Sequence, residues 1–164
     1  MSVKKPPSSI FEQEARAKGY RSIAGVDEVG RGCLAGPVVA AAVILPEKHT
    51  IEGLQDSKLL TPQKREVLYG EIYRQAVSLG IGSVEPEVID QINILQATFK
   101  AMHAAILQLS ITPQLQLIDG NRFLDNGIPF RTIVDGDALS FSIAAASIIA
   151  KVTRDQLMVE YDAL

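Results

Sequence analysis

The chain has 164 residues, of which 47% are hydrophobic and 21% charged, and its formal net charge is -3. This length and apolar content indicate one globular α/β-sized domain with a hydrophobic core. The charge excludes a global basic field as the means of binding nucleic acid, although acids that hold metal ions can still bind a polyanion. The single cysteine, Cys33, excludes a disulfide within the chain, and we expect it to be a small buried packing residue.

Targeting and membrane signals are not evident in the sequence. Residues 1–7 are polar and lack the apolar segment of a secretory signal. The longest apolar run, residues 34–45, is too short to cross a bilayer, which needs roughly 20 residues. The sequence therefore predicts a soluble cytoplasmic protein without a membrane partner.

The chain begins with a polar lead and a short helix. Residues 1–8 are predicted to be flexible. Ser9 and Glu12 have the spacing of an N-terminal capping box, and Gly19 supplies a stop signal. Together they predict a helix over residues 10–18.

Three strands and one helix are predicted next. Residues 22–29 are rich in β-compatible types and end at Gly30, whereas residues 38–45 form an almost uninterrupted apolar run. Such a run is typical of a strand that is covered on both faces. A helix over residues 62–75, opened by threonine and proline, separates this strand from a third one over residues 76–84, which its glycines weaken.

The second half of the chain predicts helix, strand, strand and helix. A short helix over residues 85–91 precedes Asn93, which caps a longer helix. The apolar residues of this longer helix recur every three or four positions, at Leu95, Phe99, Met102, Ile106 and Leu109. Strands over residues 115–118 and 130–134 lead to an Ala-rich helix over residues 140–161. We therefore expect an α/β fold with a mixed central sheet of about five strands flanked by helices.

Acidic residues stand where these strands end or helices begin: Asp27, Glu28, Asp119 and Asp137. Ligands usually bind at the carboxyl ends of strands in open α/β sheets. Four carboxylates without cysteine or histidine ligands define a hard oxygen site for Mg²⁺ or Mn²⁺, which suits two-metal hydrolysis of a phosphodiester. A single aspartate after a strand is more often a turn residue or a helix cap, so the hypothesis depends on the whole set.

The adjacent pair Asp27 and Glu28 raises a geometric condition. Neighbouring side chains of a regular strand point to opposite faces. The pair can therefore share one metal cluster only if the strand ends or bulges there, which Gly30 makes possible.

Two further aspartates compete for a place in the cluster. Asp135 lies two residues before Asp137, and the Gly-Asp pattern favours Asp137. Asp155 would lie about 27 Å from Asp137 along one straight helix, so both cannot reach the same site. We expect Asp155 to pair with Lys151 one turn earlier, or with a neighbouring element.

Four sequence segments, in this order, resemble ribonuclease HII. They are GVDEVGRG at residues 25–32, DSKLLT at 56–61, LIDGN at 117–121, and GD at 136–137 followed by SIAAASIIAKVTRD at 142–155. The first and last are rather specific, and the two short ones are weak alone. The resemblance implies a ribonuclease H-like catalytic domain over residues 20–164, preceded by a lead and helix over residues 1–19.

The resemblance also implies an activity and a cofactor. The activity is an endonuclease that hydrolyses the RNA strand of RNA–DNA hybrids and cuts 5′ of single ribonucleotides embedded in duplex DNA. The cofactor is Mn²⁺ or Mg²⁺, and the metal-binding, catalytic carboxylates carried over position by position are Asp27, Glu28, Asp119 and Asp137.

A second set of residues is expected to bind the substrate. The resemblance implies that Gly30, Arg31 and Gly32 read the ribose 2′-OH, the group that distinguishes RNA from DNA. Lys58 is a candidate phosphate ligand and Asn93 a candidate substrate contact. The alternatives are a plain strand-ending turn for the Gly-Arg-Gly segment, a solvated loop lysine and a helix N-cap.

The sequence departs from the family pattern at its C-terminal end. Family members continue into a His-Lys-Gly-Tyr motif whose tyrosine stacks on the sugar at the RNA–DNA junction. No segment of this sequence matches that motif, and Tyr161 lies on the predicted helix before it. We expect a C-terminally shortened domain in which metal binding survives better than junction-specific cutting.

The shortened domain leaves alternatives open. The second hypothesis is a hybrid-binding domain with little or no turnover, and the third is an unrelated α/β phosphate-sugar enzyme that uses the same acids. The expected partner is an RNA–DNA hybrid or ribonucleotide-containing duplex DNA. The protein is expected to be a monomer that self-associates if apolar surface is left uncovered.

Overall fold

The structure is a computed structural model that describes residues 5–32 and 35–164. The prediction for Cys33 lies outside these residues. Within the described ranges, no helix combines the length and apolar character needed to cross a bilayer.

Five strands form one mixed sheet in the order β3-β2-β1-β4-β5. The strands are β1 Ile23–Val29, β2 Val38–Ile44, β3 Ser78–Val84, β4 Leu115–Asp119 and β5 Phe130–Ile133. Strand β2 is antiparallel to β1 and β3, whereas β4 is parallel to β1 and β5. The predicted mixed five-stranded α/β sheet is confirmed, with strand ends that differ from the prediction by at most two residues.

Six α-helices accompany the sheet within the described residues. They are α1 Ile10–Ala17, α2 Pro62–Gln75, α3 Pro86–Ile92, α4 Ile94–Leu107, α5 Gly136–Leu139 and α6 Phe141–Asp162. Helix α2 begins at its predicted cap, where the Thr61 hydroxyl accepts from the Lys64 N–H at 3.2 Å. The side chain of Asn93 accepts from the Gln96 N–H at 3.0 Å, which confirms the predicted N-cap of α4.

The core lies in two layers, one on each face of the sheet. Helix α6 packs on β1 and β2 from one side, and α4 packs on β2 and β3 from the other. All seven residues of β2 are buried because this strand is covered on both faces. Ala41 and Val43 face α6, whereas Ala40 and Ala42 face α4. The uninterrupted apolar run that predicted a doubly covered strand is therefore confirmed.

The predicted capping box at the start of α1 is wrong, because Ser9 and Glu12 do not cap this helix. Ser9 precedes the helix, but its side chain accepts no capping hydrogen bond from it. Glu12 is only 4% exposed and accepts from the Ser140 hydroxyl at 2.7 Å and the Ser142 N–H at 3.1 Å. The carboxylate thus serves the buried N-terminus of the long helix α6, where free N–H groups and the helix dipole favour a negative charge.

Candidate functional site

The sheet topology brings two of the predicted acids to one edge. Strands β1 and β4 are parallel neighbours, with Val26 opposite Ile118. Asp27 and Asp119 are the next residues of the two strands, so they lie side by side. The third acid arrives from the next strand along the edge, because β5 is followed by α5, on which Asp137 lies. The carboxyl edge of parallel strands is where the sequence predicted the site.

Three carboxylates converge at this edge. Asp27, Asp119 and Asp137 each offer an oxygen within 4.8 Å of the other two. Asp27 is 5% exposed and Asp137 is 7% exposed. The Asp119 carboxylate accepts from the backbone N–H of Asp137 at 3.2 Å, which fixes the two residues relative to each other.

The cluster is electrostatically strained without a cation. Burial raises the pKa of Asp27 well above its ordinary value, and the nearby Asp119, Glu28 and Asp137 carboxylates raise it further. Burial and then Asp119 raise the pKa of Asp137 to about 6. Lys58 offsets little of this charge, because its ammonium lies 4.0 Å from Asp137 and its side chain is 79% exposed. An all-oxygen donor set with uncompensated negative charge fits a divalent cation such as Mg²⁺ or Mn²⁺.

Glu28 lies on the other side of the strand. The pairing of β1 with β2 runs without a break from Ala24 to Val29, so no bulge brings Glu28 beside Asp27. Glu28 instead lines a cavity of about 150 Å³ together with Asp119, Arg31 and residues of α4. Burial and Asp119 raise the Glu28 pKa, and Arg31 opposes this shift. Three of the four predicted acids therefore meet directly, and the fourth approaches Asp119 from the opposite face.

The two competing aspartates occupy other places. Asp135 is exposed and has a left-handed backbone with φ 55°, directly before α5. Asp155 accepts from Lys151 at 2.9 Å and lies 4.0 Å from Arg65 of α2. The prediction that Asp155 pairs within its own helix or with a neighbouring element is confirmed.

The Gly-Arg-Gly segment forms the turn that follows β1. Gly30 has φ 100°, and a Cβ there would lie 2.5 Å from the Pro37 carbonyl oxygen, so only glycine fits this position. Arg31 and Gly32 are exposed, and the space where a Gly32 side chain would start is open. The segment is thus a strand-ending turn that also places Arg31 at the cavity beside the acids.

Asn93 and Lys58, two predicted substrate-binding residues, have different surroundings. The side chain of Asn93 is engaged as the cap of α4, and its contact with a substrate stays a prediction. Lys58 lies on a short 3₁₀ turn, Ser57–Leu59, with its ammonium beside Asp137. This position would allow the ammonium of Lys58 to contact a phosphate at the cluster.

Sequence reasoning missed three arginine and asparagine side chains near the site. Asn121 and Arg122 line the cavity that Glu28 and Arg31 share, and their position directly after β4 was a usable signal. Arg154 of α6 is buried and donates to the carbonyl oxygens of Ala35 and Pro37, just before β2. No local pattern could indicate this contact, because it joins residues that are distant in sequence.

Comparisons with known proteins relate the chain to one family. The model of the family ribonuclease HII matches residues 24–164. Proteins named ribonuclease HII from Citrifermentans bemidjiense and Enterococcus faecalis are 57% and 59% identical over 93% and 95% of this chain. The chain covers 66% and 61% of their lengths, and thus spans less than two thirds of these curated relatives.

A solved structure shows the same fold. The crystal structure of ribonuclease H2 from Pyrococcus horikoshii matches with a TM-score of 0.73 at 32% sequence identity. The match covers 87% of this chain and 76% of that protein. The ribonuclease H-like architecture predicted from the sequence is therefore confirmed.

Proposed function

The chain belongs to the ribonuclease HII family, and we propose that it is a divalent-metal-dependent endoribonuclease. It hydrolyses the RNA strand of RNA–DNA hybrids and cuts 5′ of a single ribonucleotide in duplex DNA, leaving a 3′-hydroxyl and a 5′-phosphate. Its cellular tasks are the removal of misincorporated ribonucleotides and of RNA primers. The observation that carries the proposal is the group of three converging carboxylates, two of them buried, at the carboxyl edge of the sheet.

The residues that would hold Mn²⁺ or Mg²⁺ are Asp27, Asp119 and Asp137, with Glu28 acting from the other face of β1. A divalent cation held there would lower the pKa of the attacking water and would stabilise the leaving oxygen. The chain supplies the oxygen ligands, fixes Asp119 to the backbone of Asp137, and shields two of the carboxylates from solvent. These features keep the ligands ordered and the site dry enough for electrostatic interactions to be strong.

The substrate-binding residues in this proposal are Gly30, Arg31, Gly32, Lys58 and Asn93. The glycines let backbone groups approach a ribose closely enough to contact its 2′-OH. The guanidinium of Arg31 can form two parallel hydrogen bonds with a phosphate, and the ammonium of Lys58 can contact a phosphate beside Asp137. Asn93 would contact the substrate through its side-chain amide N–H groups, since its side-chain oxygen is engaged in the cap.

The alternative is a domain that binds hybrids with little or no turnover. The chain spans 66% and 61% of the lengths of two curated relatives. Salt-dependent binding to an RNA–DNA hybrid without strand scission would support this alternative.

The test is cleavage of a DNA duplex that carries one ribonucleotide, in Mn²⁺ or Mg²⁺. The Asp119→Asn variant should cleave about 100-fold more slowly or worse, because it removes a charged ligand shared by both sides of the site. Asp135→Asn is the matched control, since Asp135 is exposed and outside the three-acid group, and it should retain wild-type activity. Equal rates for Asp119→Asn and wild type would contradict the catalytic assignment.

A further inference from the structure

A buried arginine contacts the backbone between β1 and β2. Arg154 of α6 is 6% exposed. Its Nε donates to the carbonyl oxygen of Pro37 at 2.9 Å, and its Nη2 donates to the carbonyl oxygen of Ala35 at 2.8 Å. Both acceptors are neutral carbonyls, and the ion pairs found within 4.0 Å among the described residues do not include Arg154. A buried cation of this kind is retained at a cost in desolvation, so its hydrogen bonds carry weight.

The turn is shaped closely around this guanidinium. Gly30 and Gly36 both have positive φ, at 100° and 91°. A Cβ on Gly30 would lie 2.5 Å from the Arg154 Nε, and a Cβ on Gly36 would lie 2.9 Å from its Nη2. Both approaches are closer than a side chain allows, so the two glycines let the backbone close onto the arginine from either end of the turn.

The guanidinium is suited to this task in a way that lysine is not. Its N–H groups diverge in one rigid plane and can reach two carbonyls at once. An ammonium group is a compact donor on a flexible stem, and it cannot reproduce the two fixed directions. The same turn carries Arg31 to the cavity that contains Glu28 and Asp119.

We propose that Arg154 is a positioning residue that holds the backbone of residues 30–32 and 35–37 in the shape that presents Gly30, Arg31 and Gly32 to an RNA-containing strand. This inference rests on the proposed function, because that function assigns the turn to substrate binding. The competing explanation is that Arg154 only ties α6 to the sheet and affects stability alone.

The experiment compares the full chain with its Arg154→Lys and Arg154→Met variants. We expect KM for the ribonucleotide-containing duplex to rise 10- to 100-fold, with a smaller change in kcat, because the turn binds substrate while the acids stay in place. Amide hydrogen exchange should become faster at residues 30–32 and 35–36 and stay unchanged in Leu115–Asp119. Arg154→Met replaces the buried charge by an apolar side chain, so it can be studied if Arg154→Lys, which keeps the charge without both hydrogen bonds, is too unstable.

Leu68→Ala is the control for simple destabilisation. Leu68 is buried on α2, away from the turn, so its truncation should lower the thermal midpoint without raising KM. Wild-type KM in the Arg154 variants overturns the inference, whatever their stability. If wild type neither cuts nor binds the duplex, the proposed function fails. In that case hydrogen exchange still decides whether Arg154 orders the turn, since equal exchange rates would overturn the inference independently.

Discussion

Lys58 has two candidate roles, an ion pair with Asp137 and a contact with a polyanion. Its ammonium lies 4.0 Å from Asp137, yet its side chain is 79% exposed. Asp56 is the main cause of its raised pKa, with Asp137, Asp27 and Asp119 contributing after it. The residue is therefore a charged group at the rim of an acid cluster. A solvated pair of this kind contributes little to stability, which leaves contact with a polyanion as the role to test.

Replacing Lys58 by methionine should weaken binding to an RNA–DNA hybrid about 3- to 10-fold. The slope of log Kd against log salt should fall by about 0.7–0.9, because one phosphate contact is lost. Fluorescence anisotropy in the Asp119→Asn background, which keeps the substrate intact, measures both quantities.

Lys64→Met is the matched control for this substitution. Lys64 is an exposed lysine in the first turn of α2. Equal weakening by the two substitutions would mean that Lys58 contributes only to general charge and makes no specific contact.

At the scale of elements, the glycines of β3 determine how closely a helix packs. A Cβ on Gly80 would lie 2.0 Å from the Ala105 carbonyl oxygen, and a Cβ on Gly82 would lie 2.3 Å from that of Ala101. Both residues face α4, which rests directly on the strand backbone. The sequence suggested that these glycines weaken the strand, whereas their tertiary role is to admit the helix.

The Gly82→Ala substitution should therefore lower the free energy of unfolding by about 1–3 kcal/mol, since the helix must move away from the sheet. Gly70→Ala provides the opposite case. Gly70 lies within α2, and no atom approaches the place of its Cβ within 4 Å. That substitution should raise the free energy of unfolding by about 0.5–1 kcal/mol, because alanine favours a helix. Urea denaturation of the two variants measures both effects, and a loss of stability in both would contradict this account.

At the scale of the whole molecule, the acid cluster links stability to pH and to metal. The pKa of Asp137 is about 6 in the folded protein against an ordinary value of 3.8. Between these two pH values the folded state binds more protons than the unfolded state. The stabilisation by protonation is complete below about pH 4 and is lost as pH rises through about 6. Burial lowers the pKa of His49, so this residue has the opposite effect. Its contribution to stability rises with pH just below its ordinary pKa of 6.5.

Comparison with Asp137→Asn separates the contribution of Asp137 from that of His49. Without metal, the variant should match wild type near pH 4 and unfold about 3 °C or more above it at pH 7.5, because the neutral amide removes the repulsion. Calorimetry at the two pH values measures the difference.

Mn²⁺ should reverse this order at pH 7.5. It should raise the wild-type midpoint in proportion to its binding and raise that of Asp137→Asn less. A Mn²⁺ response that is the same in both proteins would contradict the assignment of Asp137 to the metal site.

The sequence alone determined the types and approximate positions of the five strands and of all the described α-helices except α5. Thr61 and Asn93 begin their helices as predicted, and the apolar run of β2 correctly indicated a strand covered on both faces. These features are local: caps depend on hydrogen bonds across a few residues, and strand patterns depend on the alternation of neighbouring side chains. Short motifs, such as that of residues 25–32, also indicated the family and a candidate set of acids.

Only the tertiary structure decided how these residues combine. The parallel pairing of β1 and β4 brings Asp27 beside Asp119, the unbroken register of β1 turns Glu28 to the other face, and Glu12 caps α6 in place of its own helix. Arg154 reaches the backbone just before β2 from the far end of the chain. Such contacts join residues that are distant in sequence. They depend on which strands pair and which helices cover them, and no local pattern records that choice.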